Sequence, residues 1–423
     1  MIQTLRFWFA HYKGGDGLRI EITPRHLVMV TASANNNKYY NMTPHGDTWT
    51  AEYGRVGSSS QRREYSIREW DKKYNEKIKK GYIDQTNLVQ DLIQVEGKKS
   101  NTSTYKEIEN KVIAEIVERL QQMARKAISE NYTVSSNKVT QAMVDEAQNV
   151  LTKLVKVDDT KQFNDILLEL FSVIPRKMGN VASYLAINPN DYSDIIQREQ
   201  DLLDVMKGQV IQKQVEDEVS ETECQSESTI LETLGLEFGE CNKEDISKIK
   251  KALGSCSDRF YKAWRVKNIK TNDRYQKFVK NENIKDTKLL WHGSRNENWW
   301  SIINTGLVLK PTNAVITGKM FGYGIYYAPK AQKSLGYTSL DGSYWARGNS
   351  NSAFMALMEV AYGKPYDVHS FDSKYYDFNY ERLQKACPGA NCLHAHAGSM
   401  LRNDEIIVYK EEQCTIRYLV ELR

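Results

Sequence analysis

Residues 320–328 read MFGYGIYYA and are followed by Lys333-Ser334 and Tyr337. Two glycines one residue apart relax the backbone, and an apolar, strand-favouring run follows them at once. This is not a dinucleotide-binding Rossmann turn, because no third glycine follows and a strand, not a helix, comes next. What remains is bare backbone beside several tyrosines, suited to gripping a flat ring by stacking. A tyrosine-rich core strand would carry the same letters.

Two further stretches flank this one. Upstream, Leu289-Leu290-Trp291 is a short apolar strand running into His292-Gly293-Ser294-Arg295, which places an imidazole and exposed backbone groups at the mouth of a sheet. A lone histidine there is as well explained as a hydrogen-bonded structural residue. Downstream, Asn403-Asp404-Glu405 opens the apolar run Ile406-Ile407-Val408-Tyr409. A carboxylate at that point is either a solvated strand end or a placed catalytic group.

The rest of the chain divides by texture. Length alone, 423 residues, calls for two or three domains. The hydrophobic fraction of 40% fits globular protein, and no apolar run approaches a membrane span. Residues 1–12 lack a basic lead and a cleavage site, so no secretory leader is expected. Six scattered cysteines suggest a reducing compartment and no disulfide framework. The net charge of +4 is unevenly placed, since residues 1–100 carry 16 Lys and Arg against 11 Asp and Glu. That excess points to a phosphate-binding module, although a solvated lysine face would give the same count.

Within that module residues 48–57 alternate, with Trp49, Ala51 and Tyr53 on one face. Ser66 and Glu69 form a capping-box pattern ahead of a helix whose buried stripe is Ile67, Trp70, Tyr74 and Ile78, closed by Gly81. From 104 to 214 the apolar period turns helical. Its stripes run through Ile108 to Met123, Met143 to Leu154, Phe163 to Phe171 (stopped by Pro175) and Ile195 to Met206. By themselves these stripes suggest packing and no ligand. Residues 215–229 are acidic and Ser/Thr-rich and read as a linker. The boundaries expected are therefore 1–101, 102–214, 215–229 and 230–423.

Taken together and in order, His292-Gly293-Ser294-Arg295, the 320–328 stretch, Lys333-Ser334 with Tyr337, and the 403–409 stretch resemble the catalytic domain of the poly(ADP-ribose) polymerases. The segment FNDILLELFSVIPRKMG at 163–179 is similar to that family's helical regulatory domain. Lys38-Tyr39-Tyr40 and Tyr53-Gly54-Arg55-Val56-Gly57 resemble its WGR domain. The resemblance implies a multidomain α+β protein. A small antiparallel sheet with one helix would precede an all-α bundle and a mixed, mainly antiparallel split sheet. It also implies an enzyme that takes NAD+ as substrate and builds poly(ADP-ribose) on itself and other proteins. It would be stimulated by nicked or damaged DNA and restrained by its helical domain.

The same resemblance assigns the residues. His292, Tyr326 and Glu405 would be the catalytic triad. The Gly293 backbone and the Ser334 hydroxyl would hold the nicotinamide carboxamide between Tyr337 and Tyr326. His292 and Ser294 would bind the adenosine ribose, Asn298 would join the NAD+ contacts, and Glu405 would steady the nicotinamide ribose. Lys333 falls either near the acceptor or in solvent, while Tyr53 and Arg55 would meet DNA and pass the signal inward. Two departures stand out: Tyr53 replaces the tryptophan of the WGR motif, and Val308 follows Gly306-Leu307 where an arginine is usual. A monomer is expected, with no membrane partner, in the nucleus if eukaryotic or the cytoplasm and nucleoid if bacterial.

Cys387, Cys392, His394 and His396 offer four soft ligands in irregular spacing. The ordinary reading is a variable loop, and no metal is expected. Other functional classes share these motifs. They are a nick-binding scaffold with weak or absent transfer, a mono-ADP-ribosyltransferase or NAD+ glycohydrolase, and an enzyme activated by RNA.

Overall fold

The computed structural model describes residues 22–89, 105–132, 139–220, 228–309, 320–344, 346–399 and 401–423. The leader expectation for 1–12, the boundary at 101/102 and the middle of the expected linker lie outside them.

The N-terminal module is a meander. Strands β1 (Arg25–Thr31), β2 (Asn36–His45), β3 (Thr48–Arg55) and β4 (Gln61–Ser66) pair antiparallel, and β5 (Ile83–Asp84) joins on the far side of β1. Alternation places Trp49 and Ala51 in one buried cluster with Leu27, Tyr40 and Met42, and Tyr53 packs on its edge. Helix α1 (Trp70–Lys79) covers this face through Trp70. Two expectations need correction here. Ser66 makes no capping bond, because its backbone belongs to β4 and its carbonyl accepts from Trp49 Nε1 at 3.1 Å. A 3-10 turn, Ile67–Glu69, intervenes before the helix. Ile78 is not part of the buried stripe but 37% exposed.

Four helices follow: α2 (Lys111–Asn131), α3 (Gln141–Leu154), α4 (Thr160–Val173) and α5 (Tyr192–Ser220). Their starts carry the expected chemistry, with the Asn110, Thr140 and Asp159 side chains each accepting a first-turn backbone N–H. α4 stops before Pro175, which forces Ile174 into an extended conformation. The stripe on α2 is shifted: Ile113 and Val117 are buried beside Ile116 and Leu120, while Val112 is only half-buried. The acidic segment from 215 is not all linker, because α5 runs on to Ser220. The bond from Gln212 to Glu216, at 2.8 Å, shows why an acidic, glutamine-rich run can stay helical.

The C-terminal part holds two sheets. One has the order β6 (Leu236–Glu240), β7 (Phe260–Asn268), β14 (Cys414–Leu422), β10 (Ala353–Ala361) and β8 (Thr287–Gly293), all antiparallel. The other is β11 (Pro365–Val368), β12 (Cys392–Ala395), β13 (Glu405–Val408) and β9 (Ile325–Tyr327), where only β11 and β12 run parallel. A bridge between Trp291 and Ala328 ties the two sheets at the end of β8. One apolar cluster continues from the α2–α5 core through Trp299, Trp300 and Phe354 into both sheets. Arg119 on α2 adds a two-pronged pair, at 3.0 Å each, to the fully buried Glu421 of β14.

Candidate active site

The cleft forms where the two sheets meet. At the end of β8, His292 Nδ1 lies 3.0 Å from the Tyr326 carbonyl, which can only accept, so that nitrogen carries the proton when the ring is neutral. The next residue has to be glycine. A Cβ on Gly293 would stand 2.8 Å from the carbonyl carbon of Ser334, far inside contact distance. That closeness brings the Ser334 hydroxyl beside the strand end, where it donates to the Trp291 carbonyl at 3.0 Å. Its oxygen keeps lone pairs with which to accept from a ligand. Asn298 donates to Ser294 Oγ at 3.1 Å, while its own Oδ1 is buried with no hydrogen-bond partner among the described residues.

The glycines of 320–328 are also used. Gly322 has φ of +73° and lies against the Phe378 backbone. That turn supplies two hydrogen bonds to the Tyr326 hydroxyl, which accepts from Phe321 N–H and donates to the Gly322 carbonyl, each at 3.0 Å. Burial, reinforced by the nearby Glu405 carboxylate, pushes the Tyr326 hydroxyl well above its ordinary range, so the ring is held neutral. Tyr337 is shifted in the same direction by the same two causes.

Glu405 is the first residue of β13 and is buried. The solvated strand-end reading is thereby excluded. Lys333 Nζ approaches its Oε1 at 2.6 Å, from a largely buried side chain, so the solvent-facing alternative for Lys333 fails as well. Burial raises the Glu405 carboxyl above its usual 4.5, and the Lys333 ammonium opposes that rise without cancelling it.

His292, Tyr326 and Glu405 line one cleft of about 550 Å³, together with Gly293, Ser294, Asn298, Lys333, Ser334 and Tyr337. Gly306, Leu307 and Val308 also line it. The opposite wall was not legible from the sequence, for it is the polar face of α5. Asp194, Gln197, Asp201 and Asp204 lie there at helical spacing. Asp201 pairs with Arg295 at 3.2 Å and Asp194 with Arg347 at 3.0 Å. Ser301 Oγ donates to the Asp204 carbonyl at 2.8 Å, and Trp300 Nε1 to Gln212 Oε1 at 2.7 Å.

The two N-terminal residues lie elsewhere. Tyr53 stacks on Tyr40 with centroids 5.5 Å apart, and Lys77 Nζ sits over both rings at 5.7 and 4.0 Å. The Arg55 guanidinium donates to the carbonyls of Asn35 (2.6 Å), Met178 (3.2 Å) and Gly179 (2.8 Å). It therefore joins the sheet module to the segment after α4, and Asn37 does likewise through the Arg176 carbonyl at 2.9 Å.

The four-ligand Cys/His set is not assembled. Cys392 is fully buried in the large apolar cluster, and Cys387 packs against a separate one. His394 and His396 instead come together with Asp367, their three ligand atoms all within 4.8 Å of one another.

Residues 243–423 match the poly(ADP-ribose) polymerase catalytic domain, and residues 23–89 match the WGR domain. Among curated relatives, the putative poly [ADP-ribose] polymerase-like 100L of Invertebrate iridescent virus 6 is 31% identical over 165 residues, which cover 38% of this chain and 85% of that protein. The uncharacterized protein 101L of the same virus is 36% identical over 188 residues, 44% of this chain and 76% of that one. Poly [ADP-ribose] polymerase 2 of Arabidopsis thaliana is 31% identical over 177 residues, 36% of this chain and 26% of that protein. The chain belongs to the poly(ADP-ribose) polymerase family, of the type that carries a WGR domain. Residues 243–423 are thus the catalytic domain of an ADP-ribosyltransferase that uses NAD+ as substrate. Among the described residues no helix is long and apolar enough to cross a membrane.

Proposed function

We propose that this protein is a DNA-break-stimulated enzyme that builds poly(ADP-ribose) on itself and other proteins, and that α5 restrains it until DNA engages the WGR domain. The observation that carries this reading is the pair of ion pairs, Arg295–Asp201 and Arg347–Asp194, spanning the cleft from one wall to the other.

In the reaction the bond between the nicotinamide nitrogen and the ribose carbon breaks, its electron pair leaves with nicotinamide, and positive charge develops on the sugar. The Gly293 backbone and the Ser334 hydroxyl hold the leaving amide, with Tyr337 and Tyr326 on either side of its ring. His292, Ser294 and Asn298 fix the adenosine side. Glu405 steadies the cationic sugar and accepts a hydrogen bond from the incoming acceptor hydroxyl. One such preorganised group is worth roughly 3–4 kcal/mol. Lys333 holds that carboxylate until substrate arrives and lies on the acceptor side. On the DNA side, Tyr53, the Lys77 ammonium over it and the basic surface around them meet the phosphates.

The test is NAD+ turnover by the full chain with and without nicked duplex DNA, with products sized on a gel. DNA-dependent polymer supports the proposal. Single-unit products would make the protein a mono-transferase, absence of turnover a scaffold, and stimulation by RNA alone an RNA-dependent enzyme. Because one apolar cluster joins the helices to the sheets, Asp201→Ala and Asp194→Ala test the restraint more cleanly than removal of residues 104–214. Both should raise turnover in the absence of DNA.

A further inference from the structure

A second cluster of chemistry-bearing side chains lies outside the cleft, on the parallel pair β11–β12. The register places Asp367 beside His394, and His396 N–H continues the pairing by donating to the Val368 carbonyl at 2.9 Å. His394 and His396 are two residues apart, and their rings stack with centroids 3.9 Å apart; His369 stacks on His396 at 4.4 Å. His396 Nε2 lies 2.6 Å from Asp367 Oδ1, and His394 Nδ1 lies 3.8 Å from the same oxygen.

The protonation of His394 follows from its other partners. Nε2 is 3.1 Å from Asp404 Oδ2, a carboxylate that can only accept, so Nε2 carries the hydrogen and Nδ1 presents a lone pair. Tyr362 donates its hydroxyl to that lone pair at 2.8 Å. Asp404 is itself fixed, since its Oδ1 accepts from the Ala397 N–H at 2.7 Å. A carboxylate holding one imidazole nitrogen while the other faces a second histidine and a second carboxylate is the outer arrangement seen around metal-bound histidines.

We propose that Asp367, His394 and His396 form a site for a divalent transition metal of the zinc class, with Asp404 orienting His394. Zinc bound tetrahedrally to nitrogen and oxygen at its usual bond lengths keeps its ligand atoms roughly 3.3 Å apart. The separations of 2.6 and 3.8 Å bracket that value and all three ligand atoms lie within 4.8 Å of one another, so closure needs side-chain adjustment and withdrawal of the Tyr362 hydroxyl from the His394 Nδ1 lone pair. Two imidazoles and one carboxylate suit zinc and its neighbours better than magnesium or calcium, which prefer oxygen alone. With Asp367 49% and His396 28% exposed, a metal can enter from solvent and keep water as a further ligand. Binding drives off the proton shared between His396 and Asp367. Asp404, which orients His394, immediately precedes Glu405 in the chain, so an occupied metal braces the segment that carries the catalytic carboxylate.

The test uses the purified full chain loaded with Zn2+ alone, passed through gel filtration and submitted to elemental analysis, with Co2+ as a spectroscopic substitute. One metal per chain is expected, with visible cobalt bands and no thiolate charge-transfer band. His396→Ala and Asp367→Ala should abolish retention while circular dichroism stays unchanged. Asp404→Asn should weaken zinc affinity by about 10- to 100-fold. Cys387→Ser should change nothing. Should His396→Ala disturb folding, the more exposed Asp367→Ala gives the same reading. Failure of the parent to retain zinc, retention by both ligand variants, or a thiolate band from cobalt would each overturn the assignment.

Discussion

Arg176 and Glu199 face each other at 3.3 Å with both side chains only 2% exposed. Arg176 lies in the segment after α4 whose next residues, Met178 and Gly179, accept hydrogen bonds from Arg55. Glu199 lies on α5, two residues before Asp201, which pairs with Arg295 at the cleft. A path of hydrogen bonds, one buried ion pair and a turn of α5 therefore runs from the WGR sheet to the cleft. The pair is held by charge and by the face of Tyr132, over which the guanidinium sits at 4.9 Å; among the described residues Arg176 Nε and Nη1 make no aligned hydrogen bond. Two buried charges are costly to desolvate, so the pair contributes little net stability while intact but a large penalty when halved.

Glu199→Gln should accordingly lower unfolding free energy by about 3–5 kcal/mol, because it leaves the Arg176 cation buried without its counter-charge. Denaturant melts measure this directly. Arg176→Met with Glu199→Leu, which removes both charges, should recover most of the loss. If the double variant is no more stable than the single one, the pair is not the source of the penalty.

Arg55→Ala removes the donors that join the WGR sheet to Met178 and Gly179 but touches nothing in the cleft. Turnover without DNA should stay near the parental value, while the stimulation by nicked DNA falls by about 5- to 100-fold, the range of a typical coupling energy. Measuring DNA binding in parallel separates coupling from affinity. An unchanged stimulation ratio would remove Arg55 from the path.

How far the letters carry can be judged residue by residue. The cleft floor is legible because each of its parts is contiguous: a strand, glycine and a polar group adjoin in 289–294 and 320–328, and a carboxylate opens the strand in 403–409. The other wall is not, since Asp194, Gln197, Asp201 and Asp204 have the composition of a solvated helix face, and only tertiary packing turns them inward. Asn35 and Asn37 were missed for a similar reason. An asparagine-rich turn gives no sign that Asn37 will reach Arg176, or that Asn35, at φ of +46°, will accept from Val181. The Cys/His spacing gives no sign that His394 and His396 meet a carboxylate, because Asp367 lies on the neighbouring strand β11. Ser66 failed as a cap because strand pairing had already claimed its backbone.

Glu405 gives a pH prediction. Its carboxyl is raised above 4.5 by burial, so the folded state holds the proton more tightly than the unfolded chain does. This contribution to stability is fully present below about 4.5 and is lost as pH rises through the folded value. The acid limb of kcat should therefore lie above the ordinary carboxylate range, since the ionised form is the one that steadies the sugar. Lys333→Met removes the one opposing charge and should move that limb to still higher pH. A limb that stays in place or moves to lower pH would show that another group sets it.

Gly208 on α5 offers a steric test of the restraint that changes no charge. A Cβ there would come within 2.8 Å of Ser301 Cα, a backbone atom of the helix Trp299–Thr305 that forms part of the cleft. Alanine is favoured over glycine by about 1 kcal/mol inside a helix, so Gly208→Ala should leave α5 itself intact and push it away from the catalytic sheets. That displacement weakens the Ser301 bond to the Asp204 carbonyl and loosens the wall carrying Asp201. NAD+ turnover without DNA should rise several-fold, with a smaller further gain on adding nicked duplex. Faster amide exchange should be confined to α5 and the helix Trp299–Thr305. Turnover that remains fully dependent on DNA, despite faster exchange along α5, would mean that the helix covers the cleft without restraining it.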